Sequence, residues 1–193
     1  MWFDGIRQPN TLYTASVSRG KDSTAMLRAI QIMNWPLDVV MAVDIWFDDD
    51  TPAEYPELVE FKRKWDKRCE DMLGVPVIHL CSMYADGRKK TYVSEFYREF
   101  QRGVWKGERY GFPTRGRNWC NRELKMRAMT RVSKINAARE ICEAKGYDID
   151  TMKTLDYVGI AADEGVRIDR RMKDPKSACP ACANRLGRRP VRT

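Results

Sequence analysis

Apolar residues fall along the chain in two rhythms. The short apolar runs Leu12 to Val17, Val39 to Phe47, Val75 to Leu80 and Leu155 to Ala161 read as strands. Between them, apolar residues recur three and four positions apart. Lys21 to Met33 carries Ala25, Met26, Ala29, Ile30 and Met33, and Ala53 to Leu73 carries Leu58, Phe61, Trp65, Cys69 and Met72. Both segments predict helices, because 3.6 residues per turn brings such positions onto one stripe. Tyr92 to Phe100 reads as a helix fragment. Cys120 to Lys145 reads as one long helix, with Leu124, Ala128, Val132, Ile135 and Cys142 on its stripe and Gly146 to end it. Arg102 to Asn118 contains four glycines and a proline and reads as a loop. Strands alternating with helices predict an α/β fold, a mostly parallel sheet flanked by helices. Such sheets bind ligands outside the carboxyl ends of their strands, near a topological switch point.

Composition narrows the class. With 193 residues, 43% hydrophobic and 32% charged, the chain predicts one domain over residues 1–173 and a basic, cysteine-containing tail over 174–193. No apolar run approaches the ~20 residues of a membrane span. Met1 to Gly5 lacks the basic and apolar regions of a secretory signal. Six cysteines in a chain of this length predict free thiols in a reducing compartment. The expectation is a cytoplasmic protein with no membrane partner. The net charge of +8 is uneven: residues 1–60 hold 4 basic and 10 acidic side chains, residues 61–145 hold 21 and 10, and residues 146–193 hold 10 and 7. The basic middle predicts an anionic partner, whether a nucleotide, a sulfated or phosphorylated compound, or nucleic acid; a solvated helix face accounts equally for many of these charges.

The first strand runs into Ser16-Val17-Ser18-Arg19-Gly20-Lys21-Asp22-Ser23, and a helix follows at once. Backbone N–H groups at a helix start point outward, and the helix dipole favours negative charge there. Gly20 permits close approach, Ser18 and Ser23 add hydroxyls, and Lys21 adds a point charge. The four-residue spacer of a Walker A loop is missing. An ordinary helix cap is the alternative reading.

Ser18 to Ser23 resembles the Ser-Gly-Gly-Lys-Asp-Ser loop of the adenine-nucleotide alpha-hydrolase, or PP-loop, superfamily. Three further segments resemble the phosphoadenosine phosphosulfate (PAPS) reductase family within it. They are Asp50-Thr51-Pro52-Ala53-Glu54-Tyr55-Pro56-Glu57, then Gly111-Phe112-Pro113 with Trp119-Cys120-Asn121-Arg122-Glu123-Leu124-Lys125, and Gly159-Ile160-Ala161-Ala162-Asp163-Glu164-Gly165-Val166-Arg167. The resemblance spans roughly residues 12 to 170 and implies a Rossmann-like PP-loop architecture. It implies an adenine nucleotide (ATP, adenosine phosphosulfate or PAPS) held by Ser16, Ser18, Arg19, Gly20, Lys21, Asp22, Ser23, Asp50, Thr51, Gly159, Asp163, Glu164 and Arg167. Lys21, Asp22 and Cys120 would take catalytic roles, and Arg115, Arg117 and Lys125 would form an anion or substrate lid. Asp22, Asp50, Asp163 and Glu164 are candidates for Mg²⁺ or ribose contacts.

The chain also departs from that family. Arg19 stands where the family has glycine, which would place a large cation beside the phosphates. Ala161 stands for an arginine and Gly165 for a serine, and the family's C-terminal cysteine in a Glu-Cys-Gly-like setting is absent. Cys69 and Cys142 lie on helix stripes and read as core, and His79, inside an apolar strand, reads as a core histidine. Cys179-Pro180-Ala181-Cys182 has the spacing of half a metal or iron–sulfur site. Cys120 begins a predicted helix, where the dipole would stabilise a thiolate. Cluster-bearing sulfonucleotide reductases place a Cys-Cys pair where this chain has Trp119-Cys120. By that likeness Cys120, Cys179 and Cys182 would hold a 4Fe–4S cluster with one open iron; zinc, or no metal, are the alternatives.

Residues 88–125 interleave cations with Tyr92, Tyr97, Trp105, Tyr110, Phe112 and Trp119, a mixture that suits unstacked bases, a lid over a nucleotide, or a solvated face. Three functions stay open. The first is an adenine-nucleotide enzyme of sulfur metabolism or sulfur transfer, acting by adenylation with pyrophosphate release. The others are a true sulfonucleotide reductase, and a nucleotide- or nucleic-acid-binding module without catalysis.

Overall fold

The computed structural model describes residues 5–114, 118–161, 164–166, 169 and 177–178. The chain folds as two compact units. The first comprises Met1–Ala42, Trp65–Ile78 and Ala138–Thr193, and the second comprises Val43–Lys64 and His79–Ala137. The strands are β1 (Thr11–Val17), β2 (Val39–Val43), β3 (Val77–Leu80), β4 (Lys153–Val158) and the two-residue β5 (Ser177–Ala178). They lie in the order β3-β2-β1-β4-β5. The sheet is parallel and flanked by helices, consistent with a Rossmann-like fold. Thr14 of β1 stands opposite Val39 of β2 on one side and Asp156 of β4 on the other. The chain winds outward from β1 through β2 to β3, and β4 then pairs on the far side of β1. The order therefore reverses between β1 and β4, which is the switch point of the sheet.

Burial explains why β1 reads as a nearly continuous apolar run. Tyr13, Ala15 and Val17 share a core with Met26, Leu27 and Ile30 of helix α1 (Lys21–Ile32) and Cys69 of helix α2 (Pro56–Leu73). Leu12 and Thr14, on the opposite face, are just as inaccessible. A strand covered on both faces has no polar side to show. At the amino end of this core, Asp38 accepts from the Tyr13 N–H at 2.8 Å, from Arg7 at 2.7 Å and from Lys145 at 2.9 Å.

Several elements are shorter than the pattern predicts. α1 buries Ser23, Met26, Leu27 and Ile30, while Met33 lies past its end and is exposed. Leu58 and Phe61 of α2 and Val132 are exposed as well. The long helix predicted from Cys120 is broken into a π-helix (Cys120–Met126), α4 (Arg131–Ala137) and α5 (Arg139–Ala144). The Arg127 N–H donates to Arg122 O, five residues back, and the Thr130 hydroxyl accepts the Ser133 N–H, which supports a new helix start. The remaining helix, α3 (Tyr92–Tyr97), opens on a capping box made by Thr91 and Ser94. Among the described residues, no helix is long and apolar enough to cross a membrane.

Candidate functional site

The segment after β1 enters α1 through residues 18–20, so the predicted phosphate loop lies at the carboxyl end of the central strand. Gly20 is the N-cap of α1, with φ −81° and ψ 175°, and it has no side chain to cap the first turn. The first N–H groups of the helix therefore lack a side-chain cap from that position. Gly20 O accepts three bonds, from the Thr24 N–H, the Thr24 hydroxyl and the Ser23 hydroxyl, each at 3.0 Å. The Ser23 proton is thus used inside the turn, a change from its expected role as donor to a ligand. Lys21 and Ser18 are exposed, and Asp22 is half-buried.

β4 delivers the other wall. Its last residue leads to Gly159, where an added Cβ would lie 2.7 Å from Asp22 O, 2.9 Å from Asp22 C and 3.0 Å from Ser23 N. These are backbone atoms at the first turn of α1, and they leave no room for any side chain. The segments after β1 and after β4 thus meet at the switch point by direct backbone packing. Glu164 stays close to this segment, with its N–H on Ala161 O at 3.1 Å.

Arg19 differs most from expectation. Its φ is +60°, the left-handed region where glycine is at ease and an arginine is strained. Its guanidinium meets Asp66 of α2 through two bonds, Nε to Oδ1 at 2.7 Å and Nη2 to Oδ2 at 2.9 Å. The side chain is 2% exposed. The cation expected beside the phosphates is therefore turned into a buried pair with Asp66. The Ser16 hydroxyl, likewise placed among the ligand contacts from sequence, donates to Asp156 Oδ1 at 2.7 Å. Thr14 donates to the same oxygen at 2.8 Å. Arg19 and Ser16 consequently shape the loop from behind. Sequence reasoning missed Asp66 and Asp156. A signal for Asp66 was present, because it precedes Cys69 and Met72 by three and six residues and so shares their stripe.

No protein-family model matches this chain, and neither does any curated protein or solved structure.

The other predicted site residues divide between the second unit and the undescribed positions. In the second unit, Asp50 and Thr51 sit in a turn after β2, where Asp48 Oδ1 accepts the Asp50 N–H at 3.0 Å and the Thr51 N–H at 2.7 Å. The bond from Thr51, then the others, holds the Asp48 carboxyl below its usual range. Lys125 is exposed on the π-helix. The Cys120 thiol donates to Asn118 Oδ1 at 3.1 Å. It also touches Tyr92, whose hydroxyl is pushed up by burial and by this neighbour. His79 is exposed, and its Nδ1 lies 2.7 Å from Asp44 Oδ2, so it is a partnered surface histidine and not a core one. Cys69 and Cys142 are buried as expected, and burial pushes the Cys69 thiol up to about 12.

Arg115, Arg117, Asp163, Arg167, Cys179 and Cys182 lie outside the described residues. Among the described residues, no three His, Cys, Asp or Glu side chains gather where they could hold a metal ion. Of the three cysteines expected around a cluster, one is described. No chemical step is therefore assigned to a cluster or to Mg²⁺.

Proposed function

We propose that the first unit binds an adenine nucleotide by its phosphates at Ser18–Ser23 and that the protein is a PAPS-reductase-like PP-loop enzyme. With ATP it acts in sulfur metabolism or sulfur transfer by adenylation, releasing pyrophosphate; the alternative substrate is a sulfonucleotide, whose reduction would release sulfite. The observation that carries this reading is the packing of Gly159 against the backbone of Asp22 and Ser23. It joins a helix start without a capping side chain to the switch point of a parallel sheet, where such folds take their ligands. The first-turn N–H groups and Lys21 would hold the phosphates and stabilise charge on the departing pyrophosphate. Mg²⁺, when bound with the nucleotide, supplies further positive charge at the phosphates.

The test uses ATP, adenosine phosphosulfate and PAPS in separate incubations, with assays for pyrophosphate and for sulfite. Pyrophosphate from ATP supports adenylation, and sulfite from a sulfonucleotide supports the reductase alternative. In calorimetry, Lys21→Ala should weaken binding of the accepted nucleotide by about 1–3 kcal/mol, the scale of a charge-assisted contact. Wild-type protein that binds none of the three nucleotides, or an affinity untouched by Lys21→Ala, refutes the assignment.

A further inference from the structure

The second unit contains an open pocket that the nucleotide reading does not use. It encloses about 730 Å³, the size of a small-ligand site. Phe47, Tyr92, Phe96, Tyr97, Phe112 and Trp119 supply much of its wall. The rings brace one another edge to face: Tyr92 on Trp119 at 5.7 Å, and Phe96 on both Tyr97 and Phe112 at 4.9 Å. The indole N–H of Trp119 is tied to Gly111 O at 3.0 Å. Tyr97 and Phe112 are nonetheless 56% and 78% exposed, so the pocket offers ring surface to solvent.

A hairpin grows from the same wall, leaving after Tyr97 and returning at Gly111. The Gly111 N–H donates to Phe96 O at its base, and the Tyr110 N–H to Arg98 O and the Phe100 N–H to Glu108 O further out, at 2.9–3.0 Å. Phe100 stacks on Tyr110 with centroids 4.1 Å apart. Gly103 and Gly107, both at positive φ, bend the tip, leaving Val104 95% and Trp105 52% exposed. Arg102 and Lys106 flank that tip and are exposed, and the Arg109 guanidinium lies over the Tyr97 ring, 5.3 Å from its centroid. Arg109 is therefore at the edge of the pocket.

Charge decides what fits. Residues 98–131 carry ten Lys and Arg against three acidic side chains, and one of those acids, Glu123, is buried and bound to Lys90, Arg122 and Arg127. Glu54, the charged residue of the pocket lining, is ion-paired with Lys62, while the cations of the hairpin stand at the pocket's edge and favour an anion there. A lipid surface calls for a continuous apolar face, whereas these rings line a concavity. What remains is an anionic chain carrying flat aromatic groups. We propose that the second unit binds single-stranded nucleic acid. An unstacked base enters the aromatic pocket, Trp105 offers a second stacking surface, and Arg102, Lys106 and Arg109 meet the phosphates. The proposal stands independently of the nucleotide assignment in the first unit.

The test is fluorescence anisotropy with labelled single strands of DNA and of RNA, about 16 nucleotides long, the matching DNA duplex, and vesicles containing phosphatidylserine. Full-length protein should bind a single strand at least tenfold more tightly than the duplex, with a log–log salt slope of about −2, the value for three phosphate contacts. Trp105→Ala and Phe112→Ala should each weaken binding about tenfold, and Arg109→Ser should make the salt slope shallower. All three side chains lie at the surface, so melting temperatures should match the wild type. Lys21→Ala should bind the strand normally, which separates this result from failure of the nucleotide site. Equal affinity for duplex, no loss in the aromatic variants, preference for the vesicles, or loss of binding in Lys21→Ala overturns the proposal.

Discussion

Asp66→Ala should cost about 3–5 kcal/mol of unfolding free energy, the range for removing one partner of a buried ion pair. The structure sets up this large effect in two ways. The Arg19 and Asp66 side chains are 2% and 11% exposed and share two bonds of 2.7 and 2.9 Å. Alanine at 66 removes the carboxylate that both of these guanidinium bonds reach. Arg19 also sits at φ +60°, which costs about 1–2 kcal/mol for a residue with a Cβ. The pair must therefore hold the loop in a conformation that its backbone resists. Arg19→Gly removes that strain as well as the Asp66 pair, so it should destabilise less than Asp66→Ala. The double variant Arg19→Gly/Asp66→Ala should lose less than the sum of the two single changes, because the pair is lost only once. The assay is equilibrium urea unfolding followed by far-UV circular dichroism, with the four proteins treated as a double-mutant cycle. A cost for Asp66→Ala below about 1 kcal/mol, or strict additivity across the cycle, refutes the claim that this pair holds the loop.

Gly159→Ala should lower stability by about 1–3 kcal/mol, the scale of overpacking, and should weaken nucleotide binding with it, because the new Cβ meets fixed backbone at Asp22; calorimetry and urea unfolding read both. Gly20→Ala should leave the urea midpoint unchanged, since its φ suits any residue and its Cβ would meet only Ser18 Oγ at 3.4 Å, yet it should reduce nucleotide affinity; unchanged affinity counts against close approach by a phosphate. Lys90, Arg122 and Arg127 outweigh burial and hold the Glu123 carboxyl below its usual value. A lowered folded pKa gives stability that is present above the unfolded value of about 4.3 and lost as pH falls through the folded one. Glu123→Gln should therefore flatten the acid limb of a stability–pH curve below about pH 4, and an unchanged limb refutes it. Iodoacetamide at neutral pH should leave Cys69, whose thiol is pushed up to about 12, unmodified until urea is added; rapid native labelling refutes its burial.

The order of strands and helices was legible because burial on both faces of β1 leaves a continuous apolar run, and because α1 keeps a true stripe at Met26, Leu27 and Ile30. Boundaries were less legible where an apolar run outlasts its element. Val39 to Phe47 reads as one strand, but β2 ends at Val43, and beyond it the Phe47 N–H turns back to Thr51 O. Beyond the sheet, Trp46 carries Lys89 over its ring and Phe47 lines the pocket of the second unit. The break of the helix after Cys120 was illegible for a related reason. Its buried residues include Glu123, held by three cations, and apolar spacing does not report such pairs. His79 misled in the same way, because its apolar neighbours in the sequence say nothing of Asp44, which reaches it from 35 residues away.

The loop at residues 18–23 turns a basic residue inward, so Arg19 adds no charge to the proposed site. The resemblance places Arg19 beside the phosphates as a large cation. At φ +60°, however, the side chain runs to Asp66. The charge is neutralised inside the first unit. What residues 18–23 present outward is the uncapped start of α1 together with the exposed Lys21. Anion binding by backbone N–H groups depends on the path of the chain and hardly on side chains. On the proposed reading, a loop whose path is pinned from behind by Arg19–Asp66 and from the side by Gly159 would hold an anion although Arg19 stands where the resembled loop has a glycine.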